Sequence, residues 1–283
     1  MLKRMLKLEL RKALRNKLFY ATIAVGCAIT MLGLIYYLTG YWSSTPIPTD
    51  VNPMASNDSL FRYWIGGEPF SPGSSVYFFV FPLLAAIPYG WSYCEEKKCG
   101  YLGMAAVRSG KTTYFLSKYI AVFISGGLAM VIPLVFNFLL TALFFPAVTP
   151  DPVNCTSYGV FFNSLMATLY YTMPFLYVFF YLCIDFLYCG LIACLSYAVT
   201  SIVRRRVIVV ILPLFLLLAF HYSRQFVYTS WQTIYKEISP MFFLRPVAAI
   251  YQASWTVIIV EMAVLFLLTF CLSMIWERRH EIY

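Results

Sequence analysis

The stretch PFLYVFFYLCIDFLYCGLIACLSYAVTSIVRRR, residues 174–206, decides the fold. From Pro174 to Thr200 it carries a single charge, Asp185, and it then stops on Arg204, Arg205 and Arg206. At about 1.5 Å per residue, a helix of that length crosses a hydrocarbon core of roughly 30 Å. The three arginines mark its cytoplasmic end. The rest of the chain has the same character. Its 283 residues are 61% hydrophobic and 12% charged, with a mean hydropathy of +0.74, whereas soluble domains are about a quarter charged. A soluble chain this apolar could not cover its surface with polar groups. A soluble domain, a secreted disulfide scaffold and a disordered regulator are therefore excluded.

Working outward, the pattern predicts an all-α polytopic membrane protein, a single transmembrane domain over residues 1–283 with six crossings. The spans fall at about 18–38, 76–93, 119–145, 174–200, 207–221 and 254–276. Residues 1–17 are rich in lysine and arginine and contain one acid, Glu9, with Leu2, Met5, Leu6, Leu10, Ala13 and Leu14 at helical spacing. This reads as an amphipathic helix lying on the membrane surface, or as a plain positive flank for the first span. The first apolar run is too long for a signal-peptide core and is not closed by an A-x-A site. A polar loop rich in Pro and Gly occupies 41–75, residues 161–171 look interfacial, and the aromatic, partly apolar 222–253 is expected to dip into the outer interface.

With the N-terminus in the cytoplasm, only Arg62, Arg224, Lys236 and Arg245 of the 21 lysines and arginines fall outside. That bias puts both termini inside. It also spreads the net charge of +9 along one membrane face, so no nucleic-acid groove is expected. The eight cysteines lie mostly within apolar runs, so no disulfide framework is expected.

Several tempting motifs fail. Ser109-Gly110-Lys111-Thr112 ends like a phosphate-binding loop, but the first glycine of G-x-x-x-x-G-K-[ST] would fall at Ala105. His221 and His280 are too far apart to form a metal-binding pair on one helix, and G-x-S-x-G is absent. No catalytic, cofactor or metal residues are expected. Asn57-Asp58-Ser59 and Asn154-Cys155-Thr156 match the glycosylation sequon, which matters only in a eukaryotic host. Two acids lie within spans, Asp185 and Glu261. Each costs about 2.5–3.5 kcal/mol at a helix centre on insertion scales. They read either as substrate or coupling contacts or as interhelical hydrogen-bonding groups. Gly126, Gly127, Gly190, Ala193 and Ser196 read as small residues for close helix packing.

The segment after the second span carries a resemblance. Glu95-Glu96-Lys97-Lys98-Cys99-Gly100 is followed by the weakly apolar Leu102, Met104 and Val107, then by Arg108, Lys111 and Lys118 at the mouth of the third span. With the basic N-terminal helix and six spans, this resembles the permease subunit of a type-2 ABC transporter. The usual proline before the second basic cluster is absent. The resemblance implies a non-enzymatic subunit of the cell membrane, in a bacterial plasma membrane. It further implies export of an amphipathic or apolar substrate such as a peptide antibiotic, a drug or a lipid-like molecule. Its expected partners are a separate ABC ATPase that binds the ATP, a second permease and membrane lipid. Residues 94–118 would be the cytoplasmic coupling segment, with Glu95, Glu96, Lys97, Lys98, Gly100, Arg108, Lys111 and Lys118 as coupling residues. The same stretch also reads as a solvated loop obeying the positive-inside bias. A membrane sensor or scaffold and an ion-coupled transporter are the alternative functions.

Overall fold

The computed structural model describes residues 2–43, 59–66, 71–150, 160, 164–203, 205–230, 236–245 and 252–279. Among the described residues twelve helices run in the order α1 (Leu2–Leu14), α2 (Lys17–Ser43), α3 (Leu60–Tyr63), α4 (Pro72–Ala86), α5 (Ser92–Lys98), α6 (Tyr101–Ser109), α7 (Lys111–Ala142), α8 (Ala167–Thr172), α9 (Pro174–Val199), α10 (Arg206–Ser230), α11 (Pro240–Phe243) and α12 (Trp255–Arg279). Among the described residues the only strands are β1 (Lys236–Glu237) and β2 (Gln252–Ala253), paired in parallel. Five helices among the described residues are long and apolar enough to cross a membrane, namely α2, α7, α9, α10 and α12. The chain is thus an all-α polytopic membrane protein. The asparagines of both sequons, Cys155, Arg204 and the tail from His280 lie outside the described residues.

Helix ends differ from the span edges for physical reasons. Hydropathy marks where a helix leaves lipid, not where its hydrogen bonds stop. Thus α7 begins at Lys111, two turns before the apolar run, and α10 continues past His221 to Ser230. The second span is interrupted, because α4 stops at Ala86 and turns at residues 87–91 lead into α5. Pro88 and Gly90 sit in that break, and both disfavour a continuous helix. At its other end α4 starts cleanly. Ser71 accepts a hydrogen bond from the Ser74 N–H at 3.1 Å, and Pro72 occupies the first turn, where it leaves no bond unmade.

The centre of the bundle is the pair α7 and α9, with α2, α4 and α12 around it. Small residues set this contact. A Cβ built at Gly126 would collide with Cβ of Ala193, and one at Gly190 would lie 2.8 Å from the Phe123 ring. Gly26 of α2 leaves room for the ring of Pro133 within α7. In the same turn, Tyr77 of α4 donates to the Met130 carbonyl at 2.7 Å. Asn137 ties together the end of the bundle away from α1. Its amide donates to the Thr30 carbonyl at 3.0 Å and accepts from the Ile65 N–H at 3.1 Å.

The segment after α10 enters the bundle. In α11, Phe243 is buried with its ring 5.5 Å from that of Tyr188, and Leu244 is fully buried. His221 Nδ1 lies 2.6 Å from Ser239 Oγ, and Arg245 donates to Ser74 Oγ at 3.1 Å. By contrast, α10 and α12 expose rows of apolar side chains, among them Phe215, Leu216, Ile259, Val260 and Leu267, as lipid-facing or subunit-facing helices do.

Candidate functional site

Three separate stretches meet at the base of α7: α1, α5 and the first turns of α7 itself. The apolar stripe of α1 brings Ala13, with Met5 and Leu10, against Tyr89, Tyr114 and Phe115. The same face carries Glu9, its lone acid, into the contact, where its side chain is fully buried. Glu9 accepts from Lys12 at 3.1 Å and from the Tyr89 hydroxyl at 2.8 Å, and Lys118 Nζ lies 3.9 Å away. Glu96 of α5 closes the network. It accepts from Lys12 at 3.1 Å and also from Lys118 and from the Tyr114 hydroxyl. Two acids and two lysines thus balance. Lys118 is wholly buried, whereas Lys12 keeps a path to water.

The electrostatics follow from that geometry. Burial alone would push the Glu96 carboxyl up. The Lys118 charge, hydrogen bonds from Lys118 and Tyr114, and Lys12 outweigh burial and hold Glu96 below its usual range. Burial also works against the Lys12 charge, but Glu9 and Glu96 outweigh it, so the Lys12 pKa is raised above the ordinary lysine value. A depressed carboxylate stabilises the fold above its unfolded pKa, and that stability is lost as pH falls through the folded value. A raised lysine stabilises below its unfolded pKa and fails only as pH rises through the folded value. The Glu96 contribution is therefore present at neutral pH and is lost in acid, whereas the Lys12 contribution is lost only in alkali. Thermal unfolding of the detergent-purified chain at pH 7 and in acid measures this. Glu96→Gln is expected to be less stable at pH 7 and to show a shallower loss in acid, and a parallel shift of both curves would contradict the assignment.

The eight residues expected to couple divide into three groups. Glu96 and Lys118 belong to the internal network, so they are not free surface charges. Glu95 is half exposed and pairs with Arg206, whose guanidinium lies 5.4 Å from the Trp91 ring. An exposed pair of this kind contributes at most about 1 kcal/mol. Lys97, Lys98, Gly100, Arg108 and Lys111 are exposed. They surround α6, which also exposes Met104 and Val107. Two glycines set α6 off from its neighbours, Gly100 at φ 69° and Gly110 at φ 82°. Both lie in the left-handed region that other residues avoid, so each permits a sharp turn at one end of the helix. Gly110 and Lys111, the remnant of the apparent phosphate loop, form the joint between α6 and α7.

Sequence reasoning missed Glu9, Lys12, Tyr89 and Tyr114. The available signal was Glu9 itself, an acid with Lys12 one turn on, amid basic residues.

The intramembrane acids lie apart from this cluster. Asp185 is buried in α9, and neither of its oxygens has a hydrogen-bond partner among the described residues. Tyr181 lies one turn before it on α9 and Cys189 one turn after it. Glu261 of α12 likewise has no hydrogen-bond partner at either oxygen among the described residues. Comparison of the chain with protein-family models, curated proteins and solved structures finds no match.

Proposed function

We propose that the chain is the membrane-spanning permease subunit of a type-2 ABC transporter, working beside a second permease and driven by a separate ATPase. The ATPase binds the ATP, and this chain is not an enzyme. It crosses a bacterial plasma membrane six times with both termini in the cytoplasm. Residues 76–93, formed by α4 and the turn after it, make the crossing that adds to the five long helices. The lysine and arginine bias supports this orientation. The substrate is amphipathic or apolar and is exported.

One observation carries the reading: α6 combines an exposed apolar edge with a rigid mounting. Val107 is 87% exposed and Met104 60% exposed, between basic residues on either side. Beneath them the Glu9–Lys12–Glu96–Lys118 network locks α1, α5 and α7 into one block. A nucleotide-driven partner needs such a surface, with apolar side chains to bury and surrounding charges to set register. Movement imposed on α6 then reaches three helices together.

A photo-crosslinking residue in place of Val107, in the full-length chain in its native membrane, tests this. The expected adduct contains an ABC ATPase subunit, identified by mass spectrometry. Val107→Asp is expected to reduce co-purification of that subunit about tenfold, as loss of an interface anchor does. Adducts with lipid alone would remove the reading. Charge reversal at Glu96 is a poor probe, because it breaks the internal network before it reports on docking.

A further inference from the structure

The two faces of α1 meet different surroundings. Its apolar stripe, with Glu9 and Lys12, is turned into the protein against α5 and α7. That stripe is therefore not available to lie in lipid, as the apolar face of a surface helix otherwise does. What remains outward is basic. Residues 1–17 hold seven lysines and arginines, and only Lys12 has an acidic partner among the described residues. The other six, Lys3, Arg4, Lys7, Arg11, Arg15 and Lys17, are all exposed. Lys3, Lys7, Arg11 and Arg15 follow one another at four-residue spacing and so form one row. Arg15 continues that row just past α1, because its N–H still donates to the Arg11 carbonyl at 3.0 Å.

Such a row is unfavourable on its own. Like charges one turn apart repel. Lys3 and Arg4 also stand in the first turn of α1, where the helix dipole disfavours cations and no acid offsets them. A surface dense in negative charge removes both penalties together. Position makes the membrane that surface. The crossing helix α2 begins at Lys17, two residues after Arg15. Both cations thus lie within a Debye length, roughly 8–10 Å, of the start of the crossing. Leu8 is exposed on α1, and Leu18 and Tyr20 are exposed in the first turn of α2. Cations, then an aromatic residue, then apolar ones is the order in which a helix enters a bilayer through its headgroup layer. Leucine beside arginine likewise suits the boundary between headgroups and acyl chains.

We propose that the outward face of α1, the row of Lys3, Lys7, Arg11 and Arg15 with Arg4 and Lys17 beside it, binds the headgroups of anionic phospholipid in the adjacent leaflet. Lipid then clamps from outside the helix that Glu9 and Lys12 hold from inside. The surface does not rest on the permease reading, because binding lipid needs neither an ATPase nor a transported substrate.

The test measures binding of fluorescent dioleoylphosphatidylglycerol to the detergent-purified full chain, with fluorescent dioleoylphosphatidylcholine as the neutral comparison. Saturable binding of the anionic lipid is expected, weakening as salt is raised, with phosphatidylcholine bound roughly tenfold more weakly. This comparison uses the wild-type chain alone, so it stands whether or not a variant folds. The combined variant Lys3→Gln, Lys7→Gln, Arg11→Gln and Arg15→Gln is expected to bind phosphatidylglycerol about fivefold more weakly for each cation removed. Glycerophosphate, the headgroup chemistry without acyl chains, should not displace the lipid. Equal binding of the two lipids, undiminished binding in the glutamine variant, or displacement by glycerophosphate would each overturn the lipid surface. An equal loss on neutralising Lys97, Lys98, Arg108 and Lys111 instead would overturn its assignment to α1.

Discussion

Replacing Lys118 with methionine is expected to destabilise the folded chain by about 3–5 kcal/mol. The reason is the company this lysine keeps. Its side chain is wholly buried, Glu96 bonds to it directly, and Glu9 is 3.9 Å from its ammonium. Removing the cation leaves two acids to share Lys12, whose side chain is 36% exposed. Methionine fills nearly the same volume, so lost packing is not the cause. A buried pair contributes little net stability when whole, because desolvation offsets attraction, but it is costly when halved. Glu96→Gln combined with Lys118→Met is therefore expected to recover part of the loss, and the double-mutant cycle isolates the coupling. Thermal unfolding of the detergent-purified chain reads both effects. A single variant within about 0.5 kcal/mol of wild type would show that the network bears no load.

Gly126→Leu is expected to abolish a monodisperse, folded chain. The α7–α9 contact is closest there, where even one added carbon would strike Cβ of Ala193 and come within 3.1 Å of the Ala85 carbonyl oxygen. Overpacking a tight contact costs about 1–3 kcal/mol for small insertions, and leucine adds several carbons. Both partners are backbone or near-backbone atoms, so neither can swing aside. Gly40→Leu serves as the control, because a Cβ at Gly40 meets nothing within 4 Å among the described residues. Size-exclusion profiles of the two variants should differ sharply, and an unchanged profile for Gly126→Leu would contradict the packing scheme.

The crossing helices were legible because lipid imposes a simple demand, a long apolar run with very few charges, and five long helices among the described residues meet it. The small residues of α7 and α9 were legible for the same reason, since membrane helices approach closely only where side chains are short. Hydropathy could not give the ends of α7 and α10, where helical hydrogen bonding continues beyond the apolar run. The charge network was only half legible. Glu9 and Lys12 form a local pair that spacing reveals, but their meeting with Glu96 and Lys118 depends on three segments converging. Glu95 and Glu96 show the limit most clearly. Adjacent residues on a helix point about 100° apart. Helical phase alone sends Glu96 inward to Lys118 and leaves Glu95 outside with Arg206.

The network also has a consequence for synthesis. Glu9 and Glu96 precede Lys118 in the chain, so until Lys118 is made the two acids have only Lys12 to balance them. Domains assemble from the N-terminus as the chain emerges, but α1 has no complete seat until the base of α7 has been made. The balanced seat of α1 is therefore complete only once Lys118 has been added to the chain.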